Sequence, residues 1–313
     1  MINIKKYIYY VWRAIKRMRY FPWYIPLLDV LTKTLSIINV YNTWLLERMD
    51  ESIILFLERN YGNLIDKYVK FPIPVPNADN NGTIWTCWWQ GEDKAPLQIQ
   101  KCFESIRRNA GSHPVIVITL ANVSQYADIP EHILELARSG KISLTHLSDV
   151  LRFKLLETHG GLWLDATMYY IEPLDEQLWN EAFFSYPARM KRGVNFDSRG
   201  KVSWAMCKMF VQKGHPLCQC FSEFYYNYFL QYPIEIHYIL TYYFGQIVMN
   251  RLGIYNNPSI MIAHPYVIML DKSDNYLSRE EYPQTHFFQL TYKRNWSERT
   301  ADGKQTVYGE LIG

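Results

Sequence analysis

The chain has 313 residues, a formal net charge of +3, 49% hydrophobic residues and 20% charged ones. That balance excludes global disorder and supplies enough apolar surface for one large domain with an extension. No apolar stretch reaches the roughly 20 residues of a spanning helix. The five cysteines are odd in number and no secretory signal precedes them, which argues for a reducing compartment rather than a disulfide framework. Cys218 and Cys220 have neither a second pair nor a histidine at zinc-ligand spacing, so no structural metal is expected there. Aromatic residues reach 16%, which fits a carbohydrate-handling or membrane-adjacent protein and equally a large aromatic core.

Before Asp29 the chain carries Lys5, Lys6, Arg13, Lys16, Arg17 and Arg19 and no acid. On a helical wheel Ile4, Tyr7, Ile8, Val11, Trp12, Ile15 and Met18 share one face, with Lys5, Lys6, Arg13, Lys16 and Arg17 opposite. Residues 1–24 therefore read as a basic amphipathic helix for an anionic membrane surface, ending in a proline-broken aromatic cluster. The other arrangement packs the stripe on the protein and leaves the bases in water. Leu31, Leu35, Ile38, Leu45, Leu46, Met49, Ile53, Leu57 and Leu64 continue at helical spacing. Pro72, Pro74 and Pro76 then impose an extended linker that runs on to Gly82. The expected division is an extension with linker over 1–76 and a second domain over 77–313.

After Gly82 the texture alternates. Strands are predicted over 83–88, 114–120, 142–145 and 162–166, and helices over 96–109, 131–139 and 148–158. Such alternation implies an α/β protein with a mostly parallel sheet and ligands at the carboxyl ends of its strands. Neither a GxGxxG nor a GxxxxGK[ST] phosphate loop occurs, which lowers the expectation of a dinucleotide enzyme or P-loop ATPase.

Three clusters fall at strand ends. In 84–91 (IWTCWWQG) a run of indoles offers flat faces to a nucleobase or sugar, or fills core. Asp149 and Arg152 stand three apart on one helix face; Ser148 or Asp149 could cap that helix, and the pair could be a plain surface ion pair. Alternatively the pair presents a carboxylate and a guanidinium to sugar hydroxyls and phosphate oxygens. In 160–167 two glycines stop a helix and a short strand delivers Asp165, suited to a hard cation that bridges a diphosphate. Towards the carboxy terminus Phe221, Phe224, Tyr225, Tyr228, Phe229, Tyr238 and Tyr242 to Phe244 suggest helix packing, with any exposed ring free to line an acceptor groove. His237 and His264 read as structural or acid–base groups.

IWTCWWQG and the later HLSDVLRFKLLETHGGLWLDATMYY (146–170) resemble the capsular polysaccharide synthesis proteins, within the broader glycosyltransferases that carry a DXD sugar-binding motif. The resemblance spans about 82–295 and is sharpest over 145–170. It implies a GT-A fold, Rossmann-like and nucleotide-sugar-binding, behind the N-terminal helical extension. The implied activity is a retaining hexosyl transfer in capsular or extracellular polysaccharide synthesis. It uses a nucleotide-sugar donor, Mn²⁺ or Mg²⁺, and a glycan or lipid-linked saccharide acceptor, with no nucleic acid. The implied location is cytoplasmic, peripheral on the inner membrane face. Carried over by position, Trp88 stacks on the nucleobase, Asp149 and Arg152 hold the donor's sugar and phosphates, and Gly160 and Gly161 belong to the donor segment. Asp165 is the first acid of the motif and the catalytic group. Thr167 stands where the wider motif has its second acid, as it commonly does in the capsular branch. The expected metal set is Asp165 and Thr167 supplemented by His286, with Asp271 or Asp274 as further candidates. The departure at Thr167 also leaves room for a non-catalytic glycan-binding or assembly subunit. A hydrolase would need a second strand-end carboxylate that the sequence does not offer.

Overall fold

The computed structural model describes residues 4–38, 40–75, 82–188, 203–254, 267–268, 286–293 and 297–312. Helices α1 (Ile4–Arg17), α2 (Tyr24–Ile37) and α3 (Thr43–Val69) come first. Asn42 caps α3 by accepting from the Leu45 N–H, and Met49, Ile53, Leu57, Tyr61, Ile65 and Tyr68 form its buried stripe. Tyr61 meets Phe224 and Phe244 edge-on, so the leading helices share one core with the carboxy-terminal ones.

The helix expected near the start is present, but its faces divide differently. Ile8, Trp12 and Ile15 are exposed while Ala14 and Arg17 are buried. Arg13 and Arg17, expected on the basic outer face, turn inward onto Glu235 and Asp29, whereas Lys16 and Arg19 stay outside. The reason is electrostatic: Glu235 is a buried acid that takes its cations from α1, and Arg17 joins Lys33 and His237 around the buried Asp29. Residues 72–75 follow α3 in an extended, largely exposed chain; the rest of the expected linker, 76–81, lies outside the described residues. Among the described residues no helix is long and apolar enough to cross a membrane.

The alternating region then builds β1 (Ile84–Cys87), α4 (Leu97–Asn109), β2 (Val115–Ile118), α5 (Val123–Tyr126), α6 (Glu131–Arg138), α7 (Leu144–Thr158) and β3 (Gly161–Leu164). The strand expected at 142–145 does not form. Ser143 instead caps α7, its hydroxyl accepting from the His146 N–H, so the helix starts early enough to enclose Asp149 rather than be capped by it. Beyond lie β4 (Met168–Tyr170), β5 (Phe183–Ala188), β6 (Ser203–Val211), α8 (Pro216–Gln231), α9 (Leu240–Arg251), β7 (Val267–Ile268), β8 (Phe287–Gln289) and α10 (Val307–Ile312).

The main sheet has the order β2-β1-β3-β6-β5. β1 is parallel to both β2 and β3, and β6 runs antiparallel to β3 and β5. A second sheet, β4-β8-β7, stands apart from it. Because β2 adds on one side of β1 and β3 on the other, the winding reverses between β1 and β3, which opens a crevice at their carboxyl ends. This is the mixed α/β architecture the resemblance implied, with a parallel-rich centre consistent with a GT-A-like fold. Most aromatic residues of α8 and α9 are core: Phe153 stacks on Phe221 at 3.8 Å and Phe224 on Phe244 at 3.7 Å. Each such ring pair adds about 1 kcal/mol to the burial of its area.

Lys208 on β6 is the outlier in a second apolar cluster, buried with its Nζ 5.4 Å from the Tyr170 ring centroid and 5.2 Å from that of Phe287. Burial pushes its ammonium down to about 7, against a smaller opposing pull from Asp175. Its folded value thus lies below its unfolded one, so between pH 7 and about 10 the unfolded chain holds more protons and this group favours folding more as pH rises. Lys208→Met should therefore be more stable than wild type at pH 7. That advantage should shrink by about 2 kcal/mol by pH 9, read from urea unfolding of both proteins at each pH.

Candidate active site

Asp165 is the first residue past β3. Its N–H donates to the Cys207 carbonyl at 2.8 Å, and its own carbonyl accepts from Met168 N–H at 3.0 Å, closing a tight turn over Ala166 and Thr167. The carboxylate is held through one oxygen only: Oδ1 accepts from Trp163 Nε1 at 2.8 Å and from Arg152 Nη2 at 3.0 Å. Oδ2 accepts nothing from a described side chain, and the side chain is 31% exposed. A fixed carboxylate with one open oxygen at the crevice is what a ligand of a cation or sugar hydroxyl requires.

Arg152 reaches this point from the middle of α7, where the three-residue spacing to Asp149 places both on one face. Its Nη1 donates to Asp149 Oδ1 at 2.9 Å and its guanidinium lies 4.9 Å from the Trp163 ring centroid. Burial alone would lower its pKa, but the carboxylates of Asp165 and Asp149 outweigh that and hold it above its usual value. Asp149 is buried, and its second oxygen accepts from Thr241 Oγ1 at 2.8 Å, which in turn shares a hydrogen bond with the Tyr225 hydroxyl at 2.7 Å. With both oxygens occupied, Asp149 acts on Arg152 from behind rather than facing the crevice.

Of the three consecutive-region indoles, two are structural. Trp85 Nε1 donates to the Gly160 carbonyl at 2.9 Å, and Trp89 Nε1 donates to Ser148 Oγ at 2.8 Å. Trp88 differs: it is half-buried, its Nε1 has no partner among the described residues, and its ring meets Tyr292 edge-on at 5.2 Å. The parallel register that pairs Trp85 with Trp163 carries Trp88 alongside Ala166, and the two share one apolar cluster. One strand end thus presents an indole beside the carboxylate delivered by its neighbour.

A family model described as capsular polysaccharide synthesis protein matches residues 37–311, which takes in this whole crevice. The chain belongs to the capsular polysaccharide synthesis family. Two curated glycosyltransferases are similar to parts of this family member. Glycosyltransferase afumC of Aspergillus fumigatus is 31% identical over 118 residues, covering 34% of this chain and 29% of that protein. O-glycosyltransferase braB of Annulohypoxylon truncatum is 25% identical over 134 residues, covering 40% and 31% respectively. The chain therefore spans less than a third of the length of these relatives. Among solved structures the PaToxG glycosyltransferase is similar, with a TM-score of 0.37 and 12% identity over 67% of this chain and 79% of that one.

The structure brings Trp88, Asp149, Arg152, Asp165 and Thr167 to one edge of the sheet, but it removes three residues from the expected set. Gly160 and Gly161 lie at the opposite end of β3, with φ of +71° and +102°. A Cβ on Gly161 would sit 2.3 Å from the Thr83 carbonyl oxygen, and one on Gly160 2.6 Å from the Lys213 nitrogen. Their role is to let β3 dock, not to touch a donor. Gly161→Ala should cost about 3 kcal/mol by urea unfolding, since it combines strained φ with a backbone clash.

His286 is removed as well. The β4–β8 register pairs Tyr170 with Phe287 and Met168 with Gln289, so His286 falls opposite Ile171 and bonds Glu172 at 2.6 Å. Four residues of strand separate that position from Thr167, or about 13 Å. Asp271, Asp274 and His264 lie outside the described residues. His237 is structural, buried 3.3 Å from Asp29. Among the described residues no three His, Cys, Asp or Glu side chains gather as a metal cage. One open carboxylate fits only the mode in which a cation takes most of its ligands from substrate phosphates and water. The sequence does not mark Trp163 or Thr241 as site residues, and it marks Tyr225 only as a helix-packing or acceptor-groove ring. Trp163 was legible in principle, two before Asp165 on the same strand face, whereas nothing local connects Thr241 to Asp149.

Proposed function

We propose that the chain transfers a hexosyl group from a nucleotide-sugar donor to a growing, lipid-linked glycan in capsular or extracellular polysaccharide synthesis. The observation that carries this reading is the Arg152 guanidinium held between Asp149 and Asp165 at the carboxyl edge of β1 and β3, beside the Trp88 N–H, which has no partner among the described residues. Trp88 stacks on the nucleobase. Arg152 faces the diphosphate, where a fixed cation stabilises the negative charge that builds as the C1–O bond to the leaving group breaks. Asp165 Oδ2, with Thr167 beside it, would hold Mn²⁺ or Mg²⁺ together with the donor's phosphates, and such a cation neutralises the departing diphosphate. The acceptor hydroxyl forms the new C1–O bond and passes its proton to the departing diphosphate oxygen; same-face attack gives retention. NMR of the product's anomeric centre checks that outcome, and an inverted linkage overturns it.

An acceptor at an anionic leaflet is supported by α1, whose Ile8, Trp12 and Ile15 are exposed together with Lys16 and Arg19. The enzyme is then peripheral at the cytoplasmic face of the membrane, docked through residues 1–24. Thermal shift and calorimetry against UDP-, GDP-, CDP- and dTDP-sugars, each with Mn²⁺, Mg²⁺ or EDTA, test the donor site. Stabilisation by one donor, weakened by EDTA and lost in Trp88→Ala, is expected. Equal response of wild type and Trp88→Ala would overturn the placement of the base.

A further inference from the structure

The cations that α1 turns inward do more than attach it. Arg17, 3% exposed at its side chain, donates from Nη1 to Asp29 Oδ2 at 2.8 Å and from Nε to the Glu235 carbonyl at 2.9 Å. Its Nη2 lies 3.7 Å from Glu235 Oε1, which also accepts from Arg13. Glu235 is 1% exposed at its side chain, so its charge is met from α1, with His146 Nδ1 4.0 Å away. Attachment alone would not call for this. Apolar side chains of the same volume hold two elements together at least as well as buried ions, while an ion cluster fixes geometry.

The segment so fixed leads to the crevice. Just past Glu235, the Tyr238 carbonyl accepts from His146 Nε2 at 3.0 Å, and Leu240 N–H donates to the His237 carbonyl at 3.1 Å as α9 begins. The next residue is Thr241, which donates to Asp149. The 235–241 segment therefore grips α7 at His146 and again at Asp149, one helical turn apart. Resting on the donor-site reading above, we propose that Arg17 is a positioning residue for that site. By fixing Glu235 and the 235–241 segment it sets Thr241, which orients Asp149 and through it Arg152. The N-terminal helices are then part of the donor site's framework as well as its membrane contact.

The test uses the full chain without lipid and the donor that wild type binds in the UDP-, GDP-, CDP- and dTDP-sugar panel. Arg17→Met should weaken calorimetric affinity at least tenfold and speed amide exchange over 234–241 and the first two turns of α7. Thr241→Val should weaken affinity to a similar degree, and Thr241→Ser, which keeps the hydroxyl, should stay within about twofold of wild type. Because both act through Asp149, the double variant should be little worse than Arg17→Met alone, where independent destabilisations would multiply. Lys67→Met, which removes an exposed ion pair between α3 and α8, should bind as wild type does. If Arg17→Met fails to fold, the contrast of Val and Ser at position 241 decides. Unchanged affinity in Arg17→Met, multiplied losses in the double variant, or equal binding by Thr241→Val and Thr241→Ser overturns the proposal while the donor site stands. A wild-type chain that binds no member of the panel overturns the donor-site reading and this one with it.

Discussion

Asp165→Asn should lower sugar transfer at least about a hundredfold, or roughly 2.7 kcal/mol of transition-state stabilisation, while leaving the fold intact. The amide oxygen can still accept from Trp163 Nε1, so the turn after β3 keeps its shape. What disappears is the charge facing the crevice, at a side chain exposed enough for the change to cost little stability. Steady-state kinetics with the donor found by the binding panel, alongside the unfolding midpoint of each protein, separates the two effects. A variant that loses activity and stability in proportion would place Asp165 in the framework instead of the chemistry.

Arg152→Met reverses the balance of effects. Asp149 is buried and pairs with Arg152 at 2.9 Å, so removing the guanidinium strands one carboxylate and leaves Asp165 without its cation. Breaking a buried pair from one side costs about 3–5 kcal/mol, which for a chain of this size lowers Tm by roughly 6 °C. Donor binding is expected to vanish as well. Arg152→Lys should recover little of either, because a single ammonium cannot bridge Asp149 Oδ1 and Asp165 Oδ1 as the planar fork does. Adding Asp149→Asn to Arg152→Met should restore part of the stability and none of the binding. That pattern in urea unfolding and calorimetry assigns the stability loss to the stranded charge.

Much of the site's location is legible in the sequence, because its parts are local. The alternation of apolar strand runs with amphipathic helices marks the carboxyl ends of β1 and β3. Asp149 and Arg152 at three-residue spacing, and Asp165 directly after Gly-Leu-Trp-Leu, each declare themselves within a few residues. What escapes is set by contacts distant in sequence. Thr241 reaches Asp149 across 92 residues, and no pattern in either segment announces it. β6 (SWAMCKMFV) is buried almost throughout, so it lacks the alternation that would identify a strand. The helical wheel of α1 sorts apolar from basic residues correctly, yet it cannot see Asp29 and Glu235, whose burial draws Arg13 and Arg17 inward. The resemblance places Gly160 and Gly161 in the donor segment, yet β3 separates them from Asp165 in space. His286 fails for the mirror-image reason, since the β4–β8 register sends it to the wrong end.

The direct test of the central claim is nucleoside diphosphate release by the purified full chain, supplied in turn with each nucleotide sugar of the panel and Mn²⁺. Release from one donor, at least about a hundredfold slower in Asp165→Asn, is the expected result. A wild-type chain that binds a donor yet releases no more diphosphate than Asp165→Asn would contradict a transferase and identify a binding subunit built on the same crevice.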